Sequence, residues 1–464
     1  MYSSYMETTG FEEALTSRVD DMLDACTKCG ACVRACPTVN PGGFGQAEPE
    51  AVISGVLDIL RVGRGPAESE RWASICMLSG DCIKACDYGV NPRFLLGMAR
   101  LAMARTKDPQ DRRKKGVQDF RKVSENVGTL SKLQLSSEVL ERLGQKPPSK
   151  PEPENAPLPD VVFYTGCNVL KTPHIALLCL DIMDVIGTSY KVMGGPSHCC
   201  GVVQLRTGDT ETSARFASNT INKLAQSKTG EVLAWCPSCF VQFTETMLPT
   251  FERATGEKPF DMTPFMRFLH RHLEDIRPFL RERVPMKVAL HRHPGVAGVA
   301  EAAEELLLAV PGVEVVHLDV PAIGLQSNNL ATLPAFKRDL HLRELEASRE
   351  AGVDALVTVY HSDHREFCAH ERDWPFKIIN VLEIVGASMG LQQEDHYKTL
   401  KIKQDIDAIV ADTSDLMKRH GVNLDTARKV IAEAILGDQP LPLQGHKSAV
   451  VRPPEAPAPV GPLP

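Results

Sequence analysis

The sequence has no run of 18 or more apolar residues; the apolar stretch 175–187 is interrupted by Asp181 and Asp184. No membrane-spanning helix is therefore expected. The N-terminal segment lacks a charged stretch leading into an apolar run, so no secretory signal is expected either. Positive charge is not in excess: 52 Lys and Arg stand against 59 Asp and Glu, a formal net charge of −7, which argues against nucleic acid as the main partner. No GxGxxG follows a strand-like run, so the chain is not expected to bind a dinucleotide itself. At 464 residues, 24% charged and 43% hydrophobic, it has the composition of a globular protein with room for several domains.

What the sequence does have is 14 cysteines. In a long chain with no expected secretory signal they point to metal or redox chemistry in a reducing cytoplasm, not to a disulfide scaffold. Twelve of them fall into short motifs. Cys26, Cys29, Cys32 and Cys36, with Pro37 behind them, reproduce the bacterial ferredoxin run in which the fourth cysteine serves the other cluster of a pair. A zinc knuckle is the alternative for this spacing taken alone. A second run holds Cys76, Cys82 and Cys86, with Ser79 where a further cysteine belongs and Asp87 in place of the proline. By the reciprocal rule Cys26, Cys29, Cys32 and Cys86 hold one [4Fe-4S] cluster, while Cys36, Cys76 and Cys82 form a three-thiol site.

The third group organises the rest of the chain. Thirty-one residues separate Cys167 from the doublet Cys199-Cys200, which Gly201 follows, and 35 residues separate Cys200 from Cys236, with Cys239 just beyond. Five thiols from three segments exceed the four that zinc takes and suit an iron–sulfur cluster. Alone, Cys236 and Cys239 would read as a thioredoxin-type pair; the doublet makes that reading unnecessary. Cys167 ends the strand-like run VVFYTGC, the doublet follows KVMGG, and Cys236 follows EVLAW. Ligands at strand ends are the habit of open α/β sheets. Cys179, on the apolar face of a helical stretch, and solitary Cys368 are read as core residues.

The spacing from Cys167 to Cys239 resembles the CCG domain of heterodisulfide reductase and its relatives, which holds a non-cubane [4Fe-4S] cluster. Residues 10–105 resemble the helical two-cluster ferredoxin domain that heterodisulfide reductases carry on a separate subunit. The spacing of Cys76, Cys82 and Cys86 is similar to the three-cysteine run of the succinate dehydrogenase iron–sulfur subunit, which implies [3Fe-4S] at the three-thiol site. A [4Fe-4S] cluster completed by Ser79 or Asp81 is the competing reading.

The sequence after residue 285 repeats the cysteine-rich domain without its thiols. VVFYTGC matches VALHRHP, with Pro294 at the place of Cys167. Ala322 and Ile323 stand for the doublet, Tyr360 for Cys236 and Asp363 for Cys239. His361, Asp363, His364 and His370 form a weaker candidate for a hard-metal site. The expected organisation is multidomain: a helical dicluster ferredoxin domain (10–105), a basic and proline-rich linker (106–159), an intact CCG domain (160–285), a degenerate CCG repeat (286–390), C-terminal helices (391–440) and a disordered tail (441–464).

This order of parts resembles the fused form of heterodisulfide reductase, in which the ferredoxin and CCG domains share one polypeptide. The resemblance implies an oxidoreductase that relays electrons to the cysteine-rich site for thiol/disulfide chemistry. Its partners would be a flavoprotein or other electron-transfer subunit, and a disulfide substrate or dithiol carrier protein. The alternative is the electron-transfer iron–sulfur subunit of a flavin-dependent dehydrogenase, of the glycolate oxidase or glycerol-3-phosphate dehydrogenase type. In the repeat alignment Tyr360 and Asp363 wall the face opposite the intact site, and Asp363 is the candidate proton donor to a departing thiolate; capping of the following helix is its plainer role.

Overall fold

The computed structural model describes residues 8–147, 157–324 and 332–443. Its N-terminal region is helical. Helix Thr8–Ala25 delivers the chain to Cys26. Helix Pro49–Val62 starts on a proline at its first turn and stops at Gly63, whose φ of 78° closes the C-terminus. Its buried face, Val52, Ile53, Val56 and Ile59, meets Trp72, Ile75 and Leu96 in one apolar core. Helix Pro92–Arg105 follows the second cysteine run, capped by the Asn91 side chain on the Phe94 amide.

Two four-stranded sheets follow, both wholly parallel. The first comprises β1 (Val161–Tyr164), β2 (Tyr190–Met193), β3 (Glu231–Ala234) and β4 (Asp261–Pro264), and the second β5 (Met286–Leu290), β6 (Val313–Val316), β7 (Ala355–Thr358) and β8 (Lys377–Asn380). Their spatial orders are β2-β1-β3-β4 and β6-β5-β7-β8. The registers agree as well: Phe163 pairs with Leu233 in the first sheet, and the aligned Leu290 pairs with Val357 in the second. The thiol-free segment is thus the same topology built again. In each repeat the helix after the first strand packs on the helix after the fourth strand of the other: Pro173–Val185 on Val381–Ser388, and Phe265–Arg271 on Val299–Ala309. This reciprocal contact is what a pseudo-twofold axis produces, and a single apolar core runs through both repeats.

Residues 106–159 are not simply a linker. Helix Pro109–Gln134 spans most of the basic stretch, capped by Asp108. Its first half is largely exposed, but Asn126, Val127, Leu130, Ser131, Leu133 and Gln134 are buried. Ser131 donates to the Leu170 carbonyl (3.0 Å) and Gln134 to the Lys171 carbonyl (3.0 Å), so the helix braces the turn after Cys167. Residues 148–156 of the proline-rich stretch lie outside the described residues. The C-terminal segment forms helices His396–Lys403, Ile406–His420 and Leu424–Ile431. Gln404 at φ 53° and the capping side chain of Asp405 separate the first two. The expected tail from residue 444 onward lies outside the described residues. Among the described residues no helix is long and apolar enough to cross a membrane.

Candidate metal centres

The fold brings the twelve motif cysteines into three groups, and none of the 14 cysteines is in a disulfide. Cys26, Cys29, Cys32 and Cys86 line one small cavity under Ile53 and Leu95. The first three come from one turn and the fourth from the second run, the grouping expected from the reciprocal rule. Burial, with Cys26 and Cys29 beside it, pushes the Cys32 thiol up to about 12. Cys36, Cys76 and Cys82 act on one another electrostatically, and burial raises both Cys36 and Cys82. The Trp72 indole N–H donates to Cys36 Sγ (3.2 Å), and the Thr38 hydroxyl lies 3.1 Å from the same sulfur. Ser79 is buried in the intervening loop, while Asp81 lies part-exposed, 3.9 Å from Lys84.

The five thiols of the first repeat meet at the carboxyl ends of its strands. Cys167 follows β1, Cys199 and Cys200 follow β2, and Cys236 and Cys239 follow β3. They influence one another in a continuous chain, Cys167 with Cys199, Cys199 with Cys200, Cys200 with Cys239 and Cys239 with Cys236. The β2-β1-β3 order puts the topological switch point between β1 and β3, where open α/β sheets bind ligands. Gly166 makes the convergence sterically feasible. Its φ is +67°, and a Cβ there would sit 3.0 Å from Cys236 Cβ and 3.2 Å from Cys239 Sγ. Four of the five thiols are buried; Cys167 alone is part-exposed. The Cys167 contact, helped by burial, raises the Cys199 thiol to about 12. The Cys239 contact and the His361 imidazole instead pull Cys236 well below its ordinary value, against burial. His198 is satisfied by the Gly194 carbonyl (2.9 Å). Cys179 and Cys368 are fully buried in apolar cores.

In the second repeat the residues at the thiol positions separate. Tyr360 is buried with its ring against Trp235, the neighbour of Cys236 (6.4 Å), and against His293 (5.5 Å). His361 reaches Cys236. Asp363, also buried, faces the imidazoles of its own repeat: its Oδ2 is 2.9 Å from His293 Nε2 and 4.0 Å from His291 Nε2. Helix His361–Phe367 has Tyr360 at its N-cap with no side-chain cap, so Asp363 does not cap it. The four residues suggested as a hard-metal site do not converge. His364 bonds Asp395 (2.6 Å) and His370 bonds Gln439 (3.1 Å). Successive helical residues point about 100° apart, so one turn aimed three side chains at three places. The partners of Asp363 were missed in the sequence. Their signal was the alternation His291-Arg292-His293 at a strand end, which puts two imidazoles on one face.

Soft thiolates in groups of four, three and five match what iron–sulfur clusters take, and no disulfide competes for them. The arrangement defines a class: an iron–sulfur electron-transfer protein with ferredoxin-type sites joined to a cysteine-rich site. Comparison with known proteins gives the relatives. Residues 22–90 match the 4Fe-4S dicluster domain and residues 161–244 the cysteine-rich CCG domain. The chain is 24% identical over 327 residues to one subunit of the dihydromethanophenazine:CoB–CoM heterodisulfide reductase of Methanosarcina mazei, covering 64% of this chain and 75% of that one. It is 22% identical to one subunit of the fumarate reductase (CoM/CoB) of Methanothermobacter marburgensis, over 78% of this chain and 72% of the relative. With the glycolate oxidase iron-sulfur subunit of Escherichia coli it shares 23% identity over 46% of this chain and 54% of the relative. No solved structure matches the chain. The chain thus carries a dicluster domain and a cysteine-rich CCG domain and is homologous to one subunit of the heterodisulfide reductases.

Proposed function

We propose that this chain relays electrons through two ferredoxin-type clusters to a non-cubane [4Fe-4S] cluster at the cysteine-rich site, in the service of thiol/disulfide redox chemistry. Cys26, Cys29, Cys32 and Cys86 would hold a [4Fe-4S] cluster, Cys36, Cys76 and Cys82 a [3Fe-4S] cluster, and Cys167, Cys199, Cys200, Cys236 and Cys239 the non-cubane one. Such clusters supply one-electron storage, and at the last site a soft position for a substrate sulfur. The observation that carries this reading is a shared core. Cys26 and Cys86 pack against the apolar cluster that contains Cys200, Cys236 and Cys239, so protein and not water fills the ground between the two ligand groups. Cys76 and Cys167 likewise both border the core that runs through the two repeats.

Reducing a disulfide breaks one S–S bond, consumes two electrons and two protons, and releases two thiols. The electrons would come from a flavoprotein or other electron-transfer subunit. With four of five thiols buried, a substrate would approach from the side of Cys167. Anaerobic protein pre-reduced with excess reductant removed, then mixed with an asymmetric disulfide, should release two thiols for every two electrons lost. Re-oxidation without thiol release would remove the disulfide from the account. One finding favours a second reading, the similarity to the glycolate oxidase iron-sulfur subunit: electron transfer for a flavin-dependent dehydrogenase that does the substrate chemistry. In that case re-oxidation would require the flavoprotein and disulfides would be inert.

A further inference from the structure

The second repeat keeps a cavity where the first keeps its thiols. It measures about 60 Å³ and is bounded by His291, His293, Ala322, Ile323, Glu344 and Asp363. It sits at the carboxyl ends of β5, β6 and β7, the switch point of the β6-β5-β7 order. Two of its imidazoles come from alternate residues of the chain leaving β5. The His291 amide still donates to the Val357 carbonyl (2.8 Å), so extended pairing continues to that residue and holds the pair on one face.

The donor set converges. One ligand atom each from His291, His293 and Asp363 lie within 4.8 Å of one another. The spacings to Asp363 Oδ2, 2.9 Å from His293 Nε2 and 4.0 Å from His291 Nε2, both fall inside about 4.2 Å, the span of two metal–ligand bonds of ~2.1 Å. One ion can therefore bridge Asp363 and either imidazole, with the third donor inside the same 4.8 Å cluster. His291 Nδ1 is 2.7 Å from the Glu344 carboxylate, the orienting contact that metal-bound histidines usually make through their second nitrogen. His293 is 4% exposed, and its Nδ1 has no hydrogen-bond partner. Asp363 and Glu344 put two buried carboxylates against these imidazoles.

We infer that the degenerate repeat is a mononuclear divalent-metal site, with His291, His293 and Asp363 as ligands and the cavity as its open face. Two imidazoles and a carboxylate with open positions suit Fe²⁺ first, and accept Mn²⁺ or Zn²⁺. The second repeat has thus exchanged soft thiols for borderline and hard donors at the same place in the fold. The other cluster of this kind, His174, His364, Glu383 and Asp395, is already committed to the fold: its two carboxylates cap helices Val381–Ser388 and His396–Lys403.

The test uses the full chain with its clusters in place. After brief chelation that leaves cluster absorbance unchanged, the protein is titrated with Mn²⁺, and free Mn²⁺ is read by EPR. Saturable binding of one equivalent is expected, weakened at least tenfold in both His293→Ala and Asp363→Asn, with cluster absorbance as in the parent. His364→Gln should bind as the parent does. Zn²⁺ added at one equivalent should displace the Mn²⁺. No saturable binding in the parent overturns the site, whatever the variants do. So does binding that survives both His293→Ala and Asp363→Asn, or that is lost only in His364→Gln.

Discussion

The Arg93 guanidinium pairs with the Glu245 carboxylate, through Nε at 3.0 Å and through a second contact from Nη2. The same guanidinium donates from Nη1 to the carbonyls of Leu78 (2.9 Å) and Gly295 (2.7 Å). One side chain therefore ties together the loop between Cys76 and Cys82, the turn after His293 and the helical segment that follows Cys239. Arg93→Ala leaves the part-buried Glu245 without its paired counter-charge, which costs at most the lower end of roughly 3–5 kcal/mol. A fall in thermal stability is expected, with earlier proteolytic cleavage around residues 76–82. Arg93→Ala with Glu245→Ala should lose less than the sum of the two single variants, because the pair is directly coupled.

The three-thiol site is to be tested at Ser79 and Trp72. Ser79→Cys adds a thiolate and should convert a three-iron signal of the oxidised protein into a four-iron one of lower potential. If the parent protein shows no three-iron signal, the site already holds four irons and the assignment fails. Trp72→Phe removes the N–H bond to Cys36 Sγ. A bond worth about 1 kcal/mol, favouring the more negative reduced state, corresponds to a drop on the order of 40 mV for a one-electron couple. Redox-titrated EPR should show that drop at this site and not at the Cys26 site.

Loss of the cysteine-rich cluster should be local. Cys200→Ser or Cys236→Ser should remove the iron of that site and leave the two ferredoxin-type signals. Gly166→Ala should give the same pattern without touching a ligand, since an alanine in this left-handed conformation costs about 1–2 kcal/mol and its Cβ would crowd Cys236 and Cys239. Iron and sulfide analysis beside EPR checks both. Simultaneous loss of all iron would contradict the separation of the ligand sets.

His370 gives a pH dependence. Burial, aided by Lys401, lowers its pKa from 6.5 to about 4. The unfolded chain then binds more protons than the folded one between those values, so stability falls as pH drops from about 6.5 towards 4. The full effect is roughly 3 kcal/mol. His370→Gln should show a flatter stability profile over that window in denaturant titrations. A profile parallel to the parent's would show that His370 is not the group responsible.

Much of the site was legible because thiol spacing is a strong local signal. The placing of Cys86 beside Cys26, Cys29 and Cys32 and the strand-end positions of Cys167, Cys199 and Cys236 follow from motif and hydrophobic pattern alone. The repeat was legible too, since its strands stay apolar after the thiols are lost. Helix Pro109–Gln134 was hard to place because its exposed basic half hides a buried stripe from Asn126 onward. Strand β4 went unnoticed: it begins on exposed Asp261 and ends on Pro264, so it lacks an apolar run. The facing of Asp363 was not legible, because which way a helical side chain points depends on partners from β5 that sequence separation conceals.

The most direct test of the whole account is low-temperature EPR of the anaerobically purified full chain, with and without an asymmetric disulfide, in the parent and in Cys200→Ser. The account predicts a paramagnetic signal in the parent that changes on adding the disulfide and is absent from Cys200→Ser. The ferredoxin-type signals of the reduced protein should be the same in both. Spectra that are identical in parent and variant, and indifferent to the disulfide, would contradict it.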